Sequence, residues 1–374
     1  MIVLRILHTA DWHIGKRLAG QSLLDDQAFA LDQIVSYIKN NSVDVVVIAG
    51  DIYDRVNPSQ GAMNLVNTYL KRINLDLKVP IVMISGNHDG KVFLDGNSEW
   101  FKATQLHVNT DLSKCYEKLT IGITNFYLLP YIEVTEARVF YKDKTITTFE
   151  AAYERILEDI KKEMNHDETN VLVGHLFVKH AKESESEEKM SVGLVEEVSQ
   201  SLFTDFDYTL LGHLHHPFAI NHDTIHYSGP PLKYSFDEAK QPKGFKVIDI
   251  SANTHEFIPL EGKHEVIEYH GSYKSVVEDK VDVGPRDAYY KFVLTDMESA
   301  TEPMATLKKL YPNTLVLSRQ MDVADYDMNT IDVSEQSDAE IFESFIKKFK
   351  DRKPTEFEHE TFNQTMKEVT HETN

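Results

Sequence analysis

The apolar positions of this chain fall into two alternating patterns. Residues 2–7, 43–48 and 79–85 are short runs, apolar at successive positions and rich in Val and Ile. Residues 24–40 (through Phe29, Ile34, Val35 and Ile38) and 60–73 instead repeat at helical spacing. Strands apolar on both faces, separated by amphipathic helices, predict a sheet covered by helices, so the fold class is α/β. Residues 126–129 and 171–173 predict two more strands around a periodic helix at 148–164. Residues 208–211 predict another, and 225–229, 245–250 and 255–259 predict β-hairpins closing a second sheet.

Beyond this point the pattern changes. Residues 279–286 contain Gly284-Pro285 and read as a linker. They divide a domain of residues 1–278 from a small β-α-β cap, residues 279–334, built from strands at 289–294 and 314–318 around a helix at 301–310. Residues 335–374 form a helical tail with two apolar stripes, one through Ile341, Phe342, Phe345, Ile346 and Phe349, the other through Phe357, Phe362, Met366 and Val369. Such stripes suit a hairpin docked on its own domain or a docking element for another protein. Residues 181–200, acidic and serine-containing, predict a surface excursion.

Composition narrows the class. The chain has 374 residues, 41% hydrophobic and 26% charged, and no apolar run near the roughly 20 residues that cross a bilayer. Met1 leads into a strand containing Arg5 without a signal-peptide pattern, and Cys115 is the only cysteine, so a reducing cytoplasm is expected. The formal charge of -21 opposes simple nucleic-acid binding, because Lys and Arg normally supply the phosphate contacts. Bound divalent cations or a basic partner would reverse that balance locally.

The chemistry sits where strands end. Asp11-Trp12-His13 follows the first run, Gly50-Asp51-Ile52-Tyr53-Asp54 the second and Gly86-Asn87-His88-Asp89 the third. Farther on come Gly174-His175 and Gly212-His213-Leu214-His215. Ligands of α/β sheets bind at the carboxyl ends of strands, so these motifs are expected to meet at one sheet edge. Carboxylate oxygen and neutral imidazole together suit Mn, Fe, Zn or Co, and no cysteine stands nearby to make a thiolate zinc site. Asp11, His13, Asp51, Asn87, His175, His213 and His215 are more donors than one ion holds beside a substrate, so two ions are implied. Asp51 suits the bridge, since one carboxylate can serve ions roughly 3.5–4 Å apart. The alternation in His213-Leu214-His215 allows each imidazole to serve a different ion, with Gly212 letting the chain bend closely around them.

Each motif alone is weak, but the ordered set resembles the calcineurin-like metallophosphoesterase superfamily. The wording of residues 7–15, 50–54, 210–215 and 227–236 is similar to the SbcD family, nuclease subunits of bacterial SbcCD complexes. The resemblance implies a two-sheet αββα sandwich with a small α/β cap and a C-terminal helical tail. It implies two Mn2+ ions, with Mg2+ or another divalent ion as substitutes. One would be held by Asp11, His13, Asp51 and His215, the other by Asp51, Asn87, His175 and His213. His88 would be the catalytic residue, touching the scissile phosphate and assisting departure of the leaving oxygen. Asp89 would orient that ring or stabilise its turn. Asp54 departs from archaeal and eukaryotic relatives, which tend to carry His there, so no phosphate contact is transferred to it.

By the same resemblance the chain would be a DNA exonuclease and endonuclease in recombination, replication and repair. Its partner would be the SMC-like ATPase SbcC, joined through the tail, with a homodimer of the nuclease within a heterotetramer. A phosphatase or cyclic-nucleotide phosphodiesterase on the same fold is the alternative. A non-catalytic scaffold would carry a broken ligand set, and all the donors are present. His8 reads as a buried core histidine, and Lys16, Arg17, Arg55, Lys91 and Lys233 read as surface charges near the motif loops.

Overall fold

The structure is a computed structural model that describes residues 4–96, 98–181, 196–320, 338–350 and 352–371. Two sheets stack with helices outside both. The first is six-stranded, ordered Thr254–Pro259, Gly244–Asp249, Arg5–Thr9, Val45–Ala49, Ile81–Ile84, Leu106–Asn109. Four of its strands run parallel, from Arg5–Thr9 to the Leu106–Asn109 edge. The second is five-stranded, ordered Ile225–Tyr227, Tyr208–Gly212, Thr169–His175, Thr124–Leu129, Leu119–Ile121.

The doubly apolar strands have the reason the sequence suggests. Val45 and Val47 face inward with Ile6, Val82 and Ile84, against Phe126, Leu128, Val171, Val173 and Leu210 of the second sheet. Their neighbours Val46 and Ile48 face outward, onto Leu31, Ile34, Val66 and Tyr69 of the helices Leu24–Asn40 and Gln60–Lys71. The second sheet repeats the arrangement, with Tyr127, Leu129 and Leu172 against Phe149, Tyr153 and Ile156 of the helix Phe149–Glu163. The result is an αββα sandwich, because side chains alternate across a strand and both faces here are buried.

Two expectations change. The strands at Gly244–Asp249 and Thr254–Pro259 do not close the second sheet. Gly244–Asp249 pairs antiparallel with Arg5–Thr9 and extends the first, while Ile225–Tyr227 alone joins the second, parallel to Tyr208–Gly212. The three-stranded sheet of the cap also begins earlier than residue 279. Val266–Ser272 pairs in parallel with Tyr289–Thr295, which pairs with Thr314–Arg319, around a core of Val276, Tyr290, Phe292, Leu307 and Tyr311. Leu232, Tyr234 and Phe236 meet Val266 and Tyr289 in a smaller apolar cluster beside it.

Residues 1–320 cluster as one compact unit and residues 321–374 as a second. In the second, helices Asp338–Lys350 and Glu356–His371 meet through stacked Phe342 and Phe362 rings, 4.3 Å apart, and a His359–Glu343 contact of 3.0 Å. The side chains of Phe345, Phe349 and Val369 lie outside the described residues, as do most of the predicted excursion at 181–200 and the join between cap and tail. Among the described residues no helix is long and apolar enough to cross a membrane.

Candidate metal centre

The five motifs converge, although not along one sheet. Asp11, His13, Asp51 and Asn87 leave the carboxyl ends of three parallel strands of the first sheet, and His175 and His213 leave two parallel strands of the second. The donors therefore meet where the two sheets share an end. Asp11, His13 and His215 bring ligand atoms within 4.8 Å of one another, as do Asp11, Asp51 and His175, and also His13, Asp51 and His88.

The backbone is bent to reach this point. Asp11, His13, Asp51 and His213 have φ of 53°, 40°, 51° and 96°, a region that residues with side chains enter at a cost. Strained conformations persist where surrounding structure over-determines them, commonly at active sites. Here the neighbouring loops do so, since Asp11 N–H donates to Gly50 O (3.0 Å) and His13 N–H to Asp51 O (2.9 Å). His213 N–H donates to Asp11 Oδ1 at 2.8 Å. Two glycines are dictated by crowding: a Cβ on Gly86 would lie 2.1 Å from Asp51 Oδ1, and one on Gly212 2.0 Å from the Ala49 carbonyl oxygen.

His175 Nδ1 lies 2.9 Å from the Ala49 carbonyl, which can only accept, so Nδ1 carries a proton and the lone pair of neutral His175 is at Nε2. That lone pair faces Asn87 Oδ1 at 2.9 Å and Asp51 Oδ2 at 3.4 Å, and His213 Nδ1 lies 3.2 Å from the same Asn87 oxygen. On the other side His215 Nδ1 meets the Glu238 carboxylate at 3.1 Å, which turns the His215 Nε2 lone pair toward His13 Nε2 at 3.2 Å. His13 Nε2 is also 3.5 Å from Asp51 Oδ2. Acceptors that confront one another in a buried pocket need a proton or a cation between them. His13 Nδ1 and Asn87 Nδ2 are likewise buried without a hydrogen-bond partner. The residues fit two cations, with His213 and His215 on opposite sides as the alternating motif suggests.

Electrostatics agree. Burial would raise the Asp51 carboxyl, but the charges of His175 and His13 and a hydrogen bond from His175 hold it well below the ordinary range. Burial lowers the His175 imidazole, yet Asp51 outweighs this and pushes it up to about 9. Burial, then the His175 charge, press His213 down to about 3.

His88 borders the same pocket. Its Nδ1 donates to the Asp54 carbonyl at 3.1 Å, its Nε2 is 4.0 Å from Asp51 Oδ2, and its ring meets His13 edge-on at 4.7 Å. Asp89 does not orient the ring. Its carboxylate accepts from the N–H groups of Gly86 (2.9 Å), Ile52 (3.1 Å) and Tyr53 (2.9 Å), which ties the second motif loop to the third. Lys16 pairs with Asp54 at 3.0 Å, Lys233 with Glu265 at 2.8 Å and Lys91 with Glu136, so these lysines are partly buried in ion pairs and not the free surface charges the sequence suggests. Sequence reasoning missed Glu238, Lys243 and Gln27. Gln27 Nε2 donates to the His13 carbonyl at 2.8 Å, and none of the three follows an apolar strand in the way the motifs do.

Two buried histidines outside the pocket set an acid limit. Burial, then Lys246, holds His8 well below 6.5, and burial, then Lys246 and His255, hold His226 at about 3. Both stay neutral in the fold while the unfolded chain takes up protons below pH 6.5, so each contributes stability above that pH and loses it as pH falls. The loss is about 1.4 kcal/mol per pH unit per group. Unfolding free energies from urea titrations of metal-free protein between pH 6.5 and 4.5 should therefore fall less steeply for His226→Gln than for wild type, by about that slope. Equal slopes would remove His226 from the acid response.

Comparison with known proteins locates the chain. The crystal structure of TT1561 of Thermus thermophilus is similar at 14% identity and a TM-score of 0.40, over 69% of this chain and 99% of that one. The family model of the calcineurin-like phosphoesterases matches residues 4–217, a span that contains all the donors of the pocket as well as His88. By that match over more than half its length, the chain belongs to the calcineurin-like phosphoesterases, hydrolases of phosphoester bonds.

Proposed function

We propose that the chain is a DNA nuclease subunit that hydrolyses phosphodiester bonds with two manganese ions. The observation that carries this reading is the complete donor set with the His88 ring at its edge, on motif wording similar to the SbcD nucleases. When bound, a pair of divalent ions polarises the phosphoryl oxygens and lowers the pKa of the attacking water. Asp11, His13, Asp51 and His215 hold one ion, and Asp51, Asn87, His175 and His213 the other. His88, anchored through Nδ1–H on the Asp54 carbonyl, offers Nε2 to the phosphate and, in its doubly protonated imidazolium form, gives the Nε2 proton to the leaving oxygen as the P–O bond breaks, returning to the neutral Nδ1–H ring.

The partner in this reading is SbcC, an SMC-like ATPase, and the nuclease acts as a homodimer within a heterotetramer in the cytoplasm. With the partner it acts on double-stranded ends in an ATP-dependent way and cuts single strands or hairpins. The helices Asp338–Lys350 and Glu356–His371 support a docking role, since Phe357 stays 77% exposed although the pair meets through Phe342 and Phe362. The net charge of -21 agrees with a subunit that relies on cations and a partner to hold DNA.

The test is cleavage of hairpin and linear duplex DNA with Mn, Mg or Zn, with and without SbcC and ATP. Deleting residues from Glu335 onward is expected to leave manganese-dependent cleavage and to abolish ATP stimulation and co-purification with SbcC. Unchanged co-purification would reject the docking role. Turnover of small phosphoesters alone would favour the phosphatase or cyclic-nucleotide phosphodiesterase.

A further inference from the structure

Behind His215 lies an ion pair that the family motifs do not include. Glu238 is 0% exposed and Lys243 5%, in a pocket wall where charges are rarely buried without a task. The two oxygens of Glu238 divide their partners. Oε1 takes His215 Nδ1 at 3.1 Å, and Oε2 takes Lys243 Nζ at 2.5 Å and the Tyr234 N–H at 3.2 Å. Lys243 Nζ also donates to the backbone carbonyl of His215 itself at 2.9 Å and to Gln241 Oε1 at 3.1 Å. One residue is therefore gripped twice, at its ring and at its main chain, by the two halves of one ion pair.

We propose that Glu238 and Lys243 are positioning residues for His215: the carboxylate fixes the Nδ1–H tautomer, so that Nε2 presents its lone pair to the cation shared with Asp11 and His13, and the ammonium locks that carboxylate in place. An ordinary buried ion pair would need neither contact to His215. A neutral imidazole has one protonated nitrogen, and the partner of that nitrogen decides which one remains to bind a metal. A carboxylate behind a ligating histidine also raises its basicity, and such outer partners typically set 10–100-fold of metal affinity. Removing one member alone would strand a buried charge, so the informative changes remove both.

The inference rests on the reading that the pocket holds divalent cations, and two measurements separate the failures. In metal-free wild-type protein, nitrogen-15 NMR of the imidazoles should find His215 protonated at Nδ1 and bare at Nε2. The opposite tautomer overturns the proposal whether or not any metal binds. In titration calorimetry with Mn2+, the folded Glu238→Leu/Lys243→Met double variant should bind one of two ions about 10–100-fold more weakly and the other unchanged. Glu238→Gln/Lys243→Met keeps an acceptor for Nδ1 but loses the carboxylate charge and the ammonium, and should bind more weakly than wild type but clearly better than the leucine variant. Wild-type affinity in the leucine variant, or equal loss in both variants, overturns the proposal. Failure of wild-type protein to bind Mn2+ removes the cation reading instead, and the tautomer measurement still decides the role of the pair.

Discussion

Replacing Asp51 by Asn is expected to lower phosphoester hydrolysis more than a hundredfold while leaving the fold intact. The backbone there sits at φ 51°, a conformation that Asp and Asn both tolerate, and the side chains have one shape. Oδ1 accepts from the His88 N–H at 2.9 Å, which an amide oxygen can also do. What is lost is the second oxygen, whose place faces His175 Nε2 at 3.4 Å and His13 Nε2 at 3.5 Å. An amide has one acceptor oxygen and no charge, so it cannot serve two cations about 3.5–4 Å apart. Loss of an outer-shell partner already costs roughly 10–100-fold, and a shared ligand should exceed that. Hydrolysis of bis-p-nitrophenyl phosphate with Mn2+ and the number of ions bound should fall together. Activity near wild type would mean that Asp51 is not the bridge.

Most of this centre was legible in the sequence, for a physical reason. Parallel strands buried on both faces are continuous apolar runs, and the residues just after them must lie at one end of a sheet. Asp11, Asp51, Asn87, His175 and His213 were placed by that rule. The rule does not say which sheet a strand joins. Gly244–Asp249 and Thr254–Pro259 read as a hairpin correctly, but the pairing of Gly244–Asp249 with Arg5–Thr9 depends on a partner more than two hundred residues away. Edge strands such as Leu119–Ile121 are short and only partly buried, so they left no apolar run to read.

Outer partners were less visible. Asp89 has the ordinary appearance of a turn residue, and only the fold shows that its three acceptor contacts join two motif loops. Glu238 and Lys243 have no motif spacing at all, because what brings them to His215 is the turn after Phe236 and not a strand end. The left-handed φ of His213 is equally silent in sequence, since a histidine gives no sign of it as a glycine would.

On the proposed nuclease reading, replacing His88 by Ala should slow cleavage of DNA by about 10²–10⁴-fold, the usual contribution of a positioned general acid or base, with cation binding retained. The geometry admits a rival role, because His88 shares a cluster with His13 and Asp51 whose ligand atoms lie within 4.8 Å of one another. The two roles part in what they disturb. A lost ligand weakens Mn2+ binding, whereas a lost acid leaves the calorimetric titration unchanged and acts through the leaving group. A p-nitrophenolate needs little protonation as it departs and a deoxyribose alkoxide needs much, so the variant should lose far less on bis-p-nitrophenyl phosphate than on DNA. The fold should hold, since His88 is partly exposed at the pocket edge and Asp54 would lose only a carbonyl contact that water can replace. Equal losses on both substrates, together with weaker Mn2+ binding, would make His88 a ligand and leave the departing oxygen to take its proton from solvent.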